Sequence, residues 1–128
     1  MAQEIDQPFA RINPPARPLA QLCSRRRVLV IEPILKLPIA LRGVTGASVT
    51  LIRLNELDRT VLERYHPEVI LAPLMTAGHD ILDVLHRLQE LKYRGSLRAI
   101  TPPMPNLMMI RSELRAKSRA LDFEVLEI

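Results

Sequence analysis

Val69-Ile70-Leu71-Ala72 is a run of four apolar residues without polar alternation, and Val28-Leu29-Val30-Ile31 is a second. A strand with one wet face alternates apolar and polar positions. A strand that is apolar throughout is covered on both faces, the condition inside a parallel sheet with helices on either side. Pro73 has no amide to give to a ladder, so pairing should stop near it. Beyond a loop containing Gly78, the residues Ile81, Leu82, Leu85, Leu88 and Leu91 recur at helical spacing, and Asp80 is placed to accept hydrogen bonds from the first-turn amides. Open parallel sheets carry their sites at the carboxyl ends of their strands, so the stretch from Pro67 to Arg87 is where chemistry is expected.

The rest of the chain repeats the pattern. The strand at Val28–Ile31 ends at Glu32-Pro33. Ile34 to Leu41 suggests a helix that Pro38 kinks or shortens. Ser48 to Arg53 is rich in β-branched residues and reads as a second strand. Asn55 is taken as the cap of a helix carrying Leu57, Val61, Leu62 and Tyr65, which His66-Pro67 terminates. The helix after Asp80 should stop at Lys92-Tyr93-Arg94-Gly95, with glycine just past its end. Leu97 to Thr101 reads as a fourth strand, closed by Pro102, Pro103 and Pro105. Asn106 is expected to cap a helix with Leu107, Ile110, Leu114 and Leu121 on its buried side, and Phe123 to Ile128 a fifth strand. Alternating strands and helices imply an α/β fold, a doubly wound five-stranded parallel sheet, here without a helix after the last strand.

A chain of 128 residues fits one domain. Its first 24 residues hold Pro8, Pro14, Pro15 and Pro18 and are expected to be a mobile N-terminal arm, with residues 25–128 as the body. The competing reading is a short docked helix, because Leu19, Leu22 and Cys23 lie at i, i+3 and i+4 and Pro18 suits a first turn. The formal charge of +4 is uneven: residues 1–27 hold five arginines against Glu4 and Asp6, and the body is nearly neutral. The charge therefore does not by itself mark a nucleic-acid-binding domain. Cys23 is the only cysteine, which excludes an intramolecular disulfide or a cysteine zinc cluster. An acidic start without an apolar signal core, and no stretch long enough to span a bilayer, point to a cytoplasmic protein without membrane contact.

The ungapped segment Val69 to Leu85 resembles the third strand and following helix of response-regulator receiver domains, the CheY-like modules of bacterial two-component signalling. The matching residues are Leu74, Met75, Gly78, Asp80, Leu82, Val84 and Leu85. Arg27 to Pro33 resembles the family's first strand, and Thr101 falls where receivers keep a serine or threonine. The resemblance covers residues 26–128 and implies a flavodoxin/CheY-like fold. It breaks at the chemistry. The family's phosphoacceptor aspartate falls on Pro73, which has no nucleophile. Of the two acidic residues that hold magnesium, Glu32 keeps one and Pro33 replaces the other. The lysine after the fifth strand has no counterpart before Ile128. One carboxylate is a poor site for a hard divalent cation, so no metal or other cofactor is expected.

In receivers a fifth helix helps to cover one sheet face, and without it that face would expose an apolar patch. The arm around Leu19 to Cys23, a second copy in a homodimer, or another protein could cover it. His66, His79 and His86 form no i, i+4 pair and do not suggest a metal site. Asp83 with Arg87, and Glu90 with Arg94, read as solvent-facing i, i+4 pairs. No G-x-G-x-x-G, Walker or nucleophile-elbow pattern occurs, and no catalytic constellation is found. The expectation is a non-phosphorylatable receiver-like signalling module, not an enzyme, acting through protein–protein contacts. Its partner surface would include Arg111, Arg115 and Arg119, which recur every four residues and are equally well explained as a solvated helix face. The alternative is a nucleic-acid-associated protein using its basic N-terminal arm, with Arg25 to Arg27 at its junction. An enzyme with a site near Glu32, His79 and Thr101 is the third reading.

Overall fold

A computed structural model describes residues 16–34, 37, 41, 44–76, 78–118 and 121–128. The elements are α1 (Ala16–Cys23), β1 (Arg27–Ile31), β2 (Ser48–Ile52), α2 (Arg59–Tyr65), β3 (Val69–Pro73), α3 (Ile81–Glu90), β4 (Ser96–Thr101), α4 (Leu107–Lys117) and β5 (Asp122–Glu127). The five strands form one sheet in the order β2-β1-β3-β4-β5, and every pair is parallel. This is the doubly wound α/β order of flavodoxin- and CheY-like folds, in which the direction of strand addition reverses between β1 and β3. No helix follows β5 among the described residues.

Alternation within the apolar strands divides the core between two faces. Leu29, Ile31, Ile70, Ala72, Leu97, Ala99, Phe123 and Val125 point to one side, where α3 adds Ile81, Val84, Leu85 and Leu88 and α4 adds Leu114. Val28, Val30, Val69, Leu71 and Ile100 point to the other, and there α1 lays down Leu19 and Cys23, both fully buried. Through Leu19 and Cys23, α1 thus packs into the core of the body. Residues 1–15 of the expected arm lie outside the described residues. The expected helix at Ile34 to Leu41 lies mostly outside them too; within it, the Leu41 amide donates to the Leu37 carbonyl at 2.9 Å, a helical bond, and Leu37 is buried on the α1 side.

Several local expectations are corrected. Asn55 is not a helix cap: Leu54–Glu56 forms a single 3-10 turn, and the Asp58 carboxylate caps α2 by accepting from the Val61 amide at 2.9 Å. The αL residue ending α3 is Lys92 (φ 59°), not Gly95. Gly95 is required for another reason, since a Cβ there would stand 2.1 Å from the Tyr93 hydroxyl, which donates to the Pro67 carbonyl at 3.1 Å. Asn106 precedes α4 but at φ 59°, and its side chain makes no capping bond; its carbonyl receives the Met109 and Ile110 amides instead. Asp80 caps α3 as expected, accepting from the Leu82 and Asp83 amides, and Asp83 returns the bond by accepting from the Asp80 amide at 2.9 Å. Asp83 is therefore not paired with Arg87. Arg87 instead lies 3.8 Å from Glu90 and donates to the Leu57 carbonyl at 2.8 Å.

Candidate functional site: the strand ends and the β5 edge

The register brings Glu32, Pro33, Pro73 and Thr101 to the carboxyl edge of the sheet. Pairing of β3 with β4 runs to Pro73↔Ile100, one residue short of Thr101, whereas pairing of β3 with β1 ends at Val30↔Leu71. Pro73 is tolerated in a central strand because it sits last in β3, beyond the end of the β1 ladder. It is buried and offers no nucleophile. Thr101 is 5% exposed, and its hydroxyl donates to the Pro102 carbonyl at 3.0 Å with the Met104 sulfur 3.5 Å away. That hydroxyl serves the Pro102–Pro105 loop. Glu32 is exposed beside Pro33, and among the described residues it is the single carboxylate at this place. Among the described residues no three His, Cys, Asp or Glu side chains converge. A hard divalent cation needs several oxygen ligands, so these residues do not fit the magnesium of a receiver.

A crevice of about 710 Å³ opens beside these positions. Glu32 and Pro33 enter it from the end of β1, Arg53, Leu54 and Asn55 from the end of β2, Thr76, Gly78 and His79 from the loop after β3, and Arg87 from α3. The loop is held by Thr76: its hydroxyl accepts from the Gly78 and His79 amides and lies 3.0 Å from the His79 carbonyl, which also accepts from the Thr76 amide at 2.8 Å. Glu32 and His79 therefore do share a cavity, but Thr101 does not line it. Arg53 and Arg87 were not among the expected site residues. No sequence motif joins them, because they meet only through the β1–β2 register and the packing of α3.

On the opposite side of the sheet edge, Arg111 and Arg115 are not free. Both pair with the Glu124 carboxylate of β5, Arg111 at 3.4 Å. The Asp122 and Ile128 amides donate to the Gly95 and Thr101 carbonyls of the β4 side. By the alternation of a parallel ladder, the backbone groups of Val125 then face outward from the sheet. Arg111 donates to the Val125 carbonyl at 2.9 Å, and the Val125 amide lies 3.4 Å from Glu124 Oε1. Side chains of α4 and β5 thus close the middle of an edge strand that would otherwise template another strand. Beside them Met108 and Met109 are 76% and 68% exposed. Met108, Arg111, Ser112, Arg115 and Glu124 line a shallow groove of about 420 Å³. Arg119 lies outside the described residues.

Of the basic junction, Arg25 and Arg26 are exposed, but Arg27 is engaged: its side chain donates to the His66 carbonyl at 2.6 Å and lies 3.8 Å from Glu68. No described helix is long and apolar enough to cross a membrane. No family model matches the chain, and no curated protein or solved structure matches it.

Proposed function

We propose that this chain is a non-phosphorylatable, receiver-like signalling module that works in the cytoplasm through protein–protein contacts. The observation that carries the reading is Pro73. In a sheet of order 2-1-3-4-5 it occupies the end of the central strand, where a receiver resemblance puts the phosphoacceptor, and it has no group to phosphorylate. Around it the frame is kept and the acid pair is reduced to Glu32. The partner surface in this reading is the α4–β5 side. There Arg111, Arg115 and Glu124 hold a fixed arrangement, and two exposed methionines present adaptable apolar side chains of the kind that serves interaction surfaces. The other sheet face, for which a second copy was one expected cover, already carries α1. Loop prolines Pro102, Pro103 and Pro105 hold the segment between β4 and α4 in one conformation, so the module would be constitutive and not switched.

The test is exposure of the full chain to a small phosphodonor with magnesium, read by intact mass and by amide NMR. The expected result is no covalent phosphate and no change at α4–β5. A stoichiometric mass gain with shifts on that surface refutes the reading. In parallel, Met108→Glu with Met109→Glu should abolish photo-crosslinks formed in cells from a probe placed at Ser112. Crosslinks that survive unchanged place the contact elsewhere.

A further inference from the structure

We infer that the crevice at the ends of β1, β2 and β3 is a binding site for a small phosphate monoester. The inference is independent of the protein-contact reading, which uses the other side of the sheet edge.

The location is where a doubly wound sheet opens. The strand order reverses between β1 and β3, and the ladder between them ends at Val30↔Leu71 while β1 stays paired to β2 as far as Ile31↔Ile52. Ligands of open α/β sheets sit outside the strand ends at such a reversal. A volume of about 710 Å³ lies within the usual range of small-molecule sites.

The chemistry of the lining selects an anion. Two guanidiniums, Arg53 and Arg87, stand against one carboxylate, Glu32. Arg53 is exposed, and among the described residues it takes part in no ion pair. Arg87 is steadied through Nη1 on the Leu57 carbonyl and has Nε 3.8 Å from the exposed Glu90 carboxylate, while its Nη2 makes no hydrogen bond within the described protein. A guanidinium fixed on one edge with donors left on the other is prepared for phosphate or carboxylate oxygens.

His79 is the second, independent observation. Its main chain is pinned by Thr76, and its Nδ1 is shielded from solvent without a hydrogen-bond partner. That nitrogen is closed to the crevice, so the half-buried ring contributes to the lining by its remaining surface, held in place by the Thr76 bonds. Two arginines in one lining suit a phosphate dianion better than a single carboxylate. Pro33 and Leu54 give the ligand body an apolar wall, and Asn55 and Glu32 can bind its hydroxyls.

The experiment titrates the full chain with inorganic phosphate, ribose 5-phosphate and ribose, followed by amide and His ring NMR and by calorimetry. Ribose 5-phosphate should bind saturably, with shifts at Thr76, Gly78, His79 and Asn55. Ribose should bind at least tenfold more weakly. Arg53→Gln and His79→Asn should each weaken phosphate-ester binding by roughly tenfold, the scale of one charge-assisted hydrogen bond. Glu32→Gln should tighten inorganic phosphate about twofold by removing a like charge. Arg53 is exposed, so its variant tests the site without threatening the fold. Absence of saturable binding by either phosphate, or affinities unmoved by both Arg53→Gln and His79→Asn, overturns the inference.

Discussion

The docking of α1 can be tested at one side chain. Leu19 is fully buried between α1 and the sheet, in contact with the cluster of Val28, Val30, Val69, Leu71 and Ile100. A helix of eight residues is too short to be stable alone, so α1 owes its order to this packing. Leu19→Ala should cost about 2.7–5 kcal/mol, the range for deleting a buried leucine side chain without full collapse of the cavity. Even the lower figure shifts the docking equilibrium by roughly 100-fold. The single cysteine reports that equilibrium directly, because Cys23 lies in the same helix and is also fully buried.

Burial pushes the Cys23 thiol up to about 11, although the nearby Arg26 and Arg98 charges oppose the shift. The docked thiol is therefore essentially protonated at pH 8, and labelling there proceeds through the undocked helix. The protonated form is favoured in the folded state, so this contribution to docking is complete below the unfolded thiol's ordinary value near 8.5–9 and fades as pH rises towards 11. A disulfide-exchange reagent should label the wild-type chain far more slowly than the urea-unfolded chain. Leu19→Ala should raise the native rate by about two orders of magnitude. The reasoning is refuted if wild-type Cys23 reacts at the unfolded rate, or if Leu19→Ala leaves both labelling and urea midpoint within error of wild type.

Two further perturbations test the packing. Gly95→Ala would drive a methyl into the half-buried Tyr93 ring, and urea denaturation should show a loss of roughly 1–3 kcal/mol, smaller when Tyr93 is first shortened to Ala. The Arg98 guanidinium, with help from the Ser96 hydroxyl and against a smaller effect of burial, holds the Asp122 carboxyl below its usual range. That stability is present above the unfolded carboxyl value near 3.9 and is lost as pH falls through the folded one. Since the Asp122 side chain is 65% exposed, Asp122→Asn should cost under about 1 kcal/mol at pH 7, and the difference should shrink with acid and with salt in a melt series.

The strands β1 and β3 were legible because they are buried on both faces, and a run such as Val69–Ala72 leaves little else to be. Asp80 was legible because it stands one residue before the helical spacing begins. Asn55 misled because Asp58, three residues later, is an equally good cap, and only the intervening 3-10 turn decides between them. Arg111 and Arg115 read as one helix face, which is correct as spacing. Nothing in that spacing says that Glu124 of a later strand will lie against them, since that contact depends on how α4 crosses β5. The arm was ambiguous for a related reason: Leu19 and Cys23 carry the helical signal, but the prolines before them carry the opposite one, and the sheet face waiting to be covered resolves it.

The filled end of β3 and the open crevice follow from the same register. β3 stays paired with β4 through Pro73, which brings Thr101 and its proline loop against that side and turns the Thr101 hydroxyl to the Pro102 carbonyl. On the β1 side the ladder ends two residues earlier, at Leu71, while β1 and β2 continue together to Ile52, where Arg53 follows. Space at the sheet's carboxyl edge is thus displaced from the centre of the sheet toward β2. A receiver would do its chemistry at the end of β3. In this chain a buried imino acid, Pro73, stands at that position, and the cationic side chains Arg53 and Arg87 line the gap one strand over. An anion entering this crevice would then be bound reversibly, because the arginines there can hold it and position 73 has no carboxylate to accept a phosphoryl group.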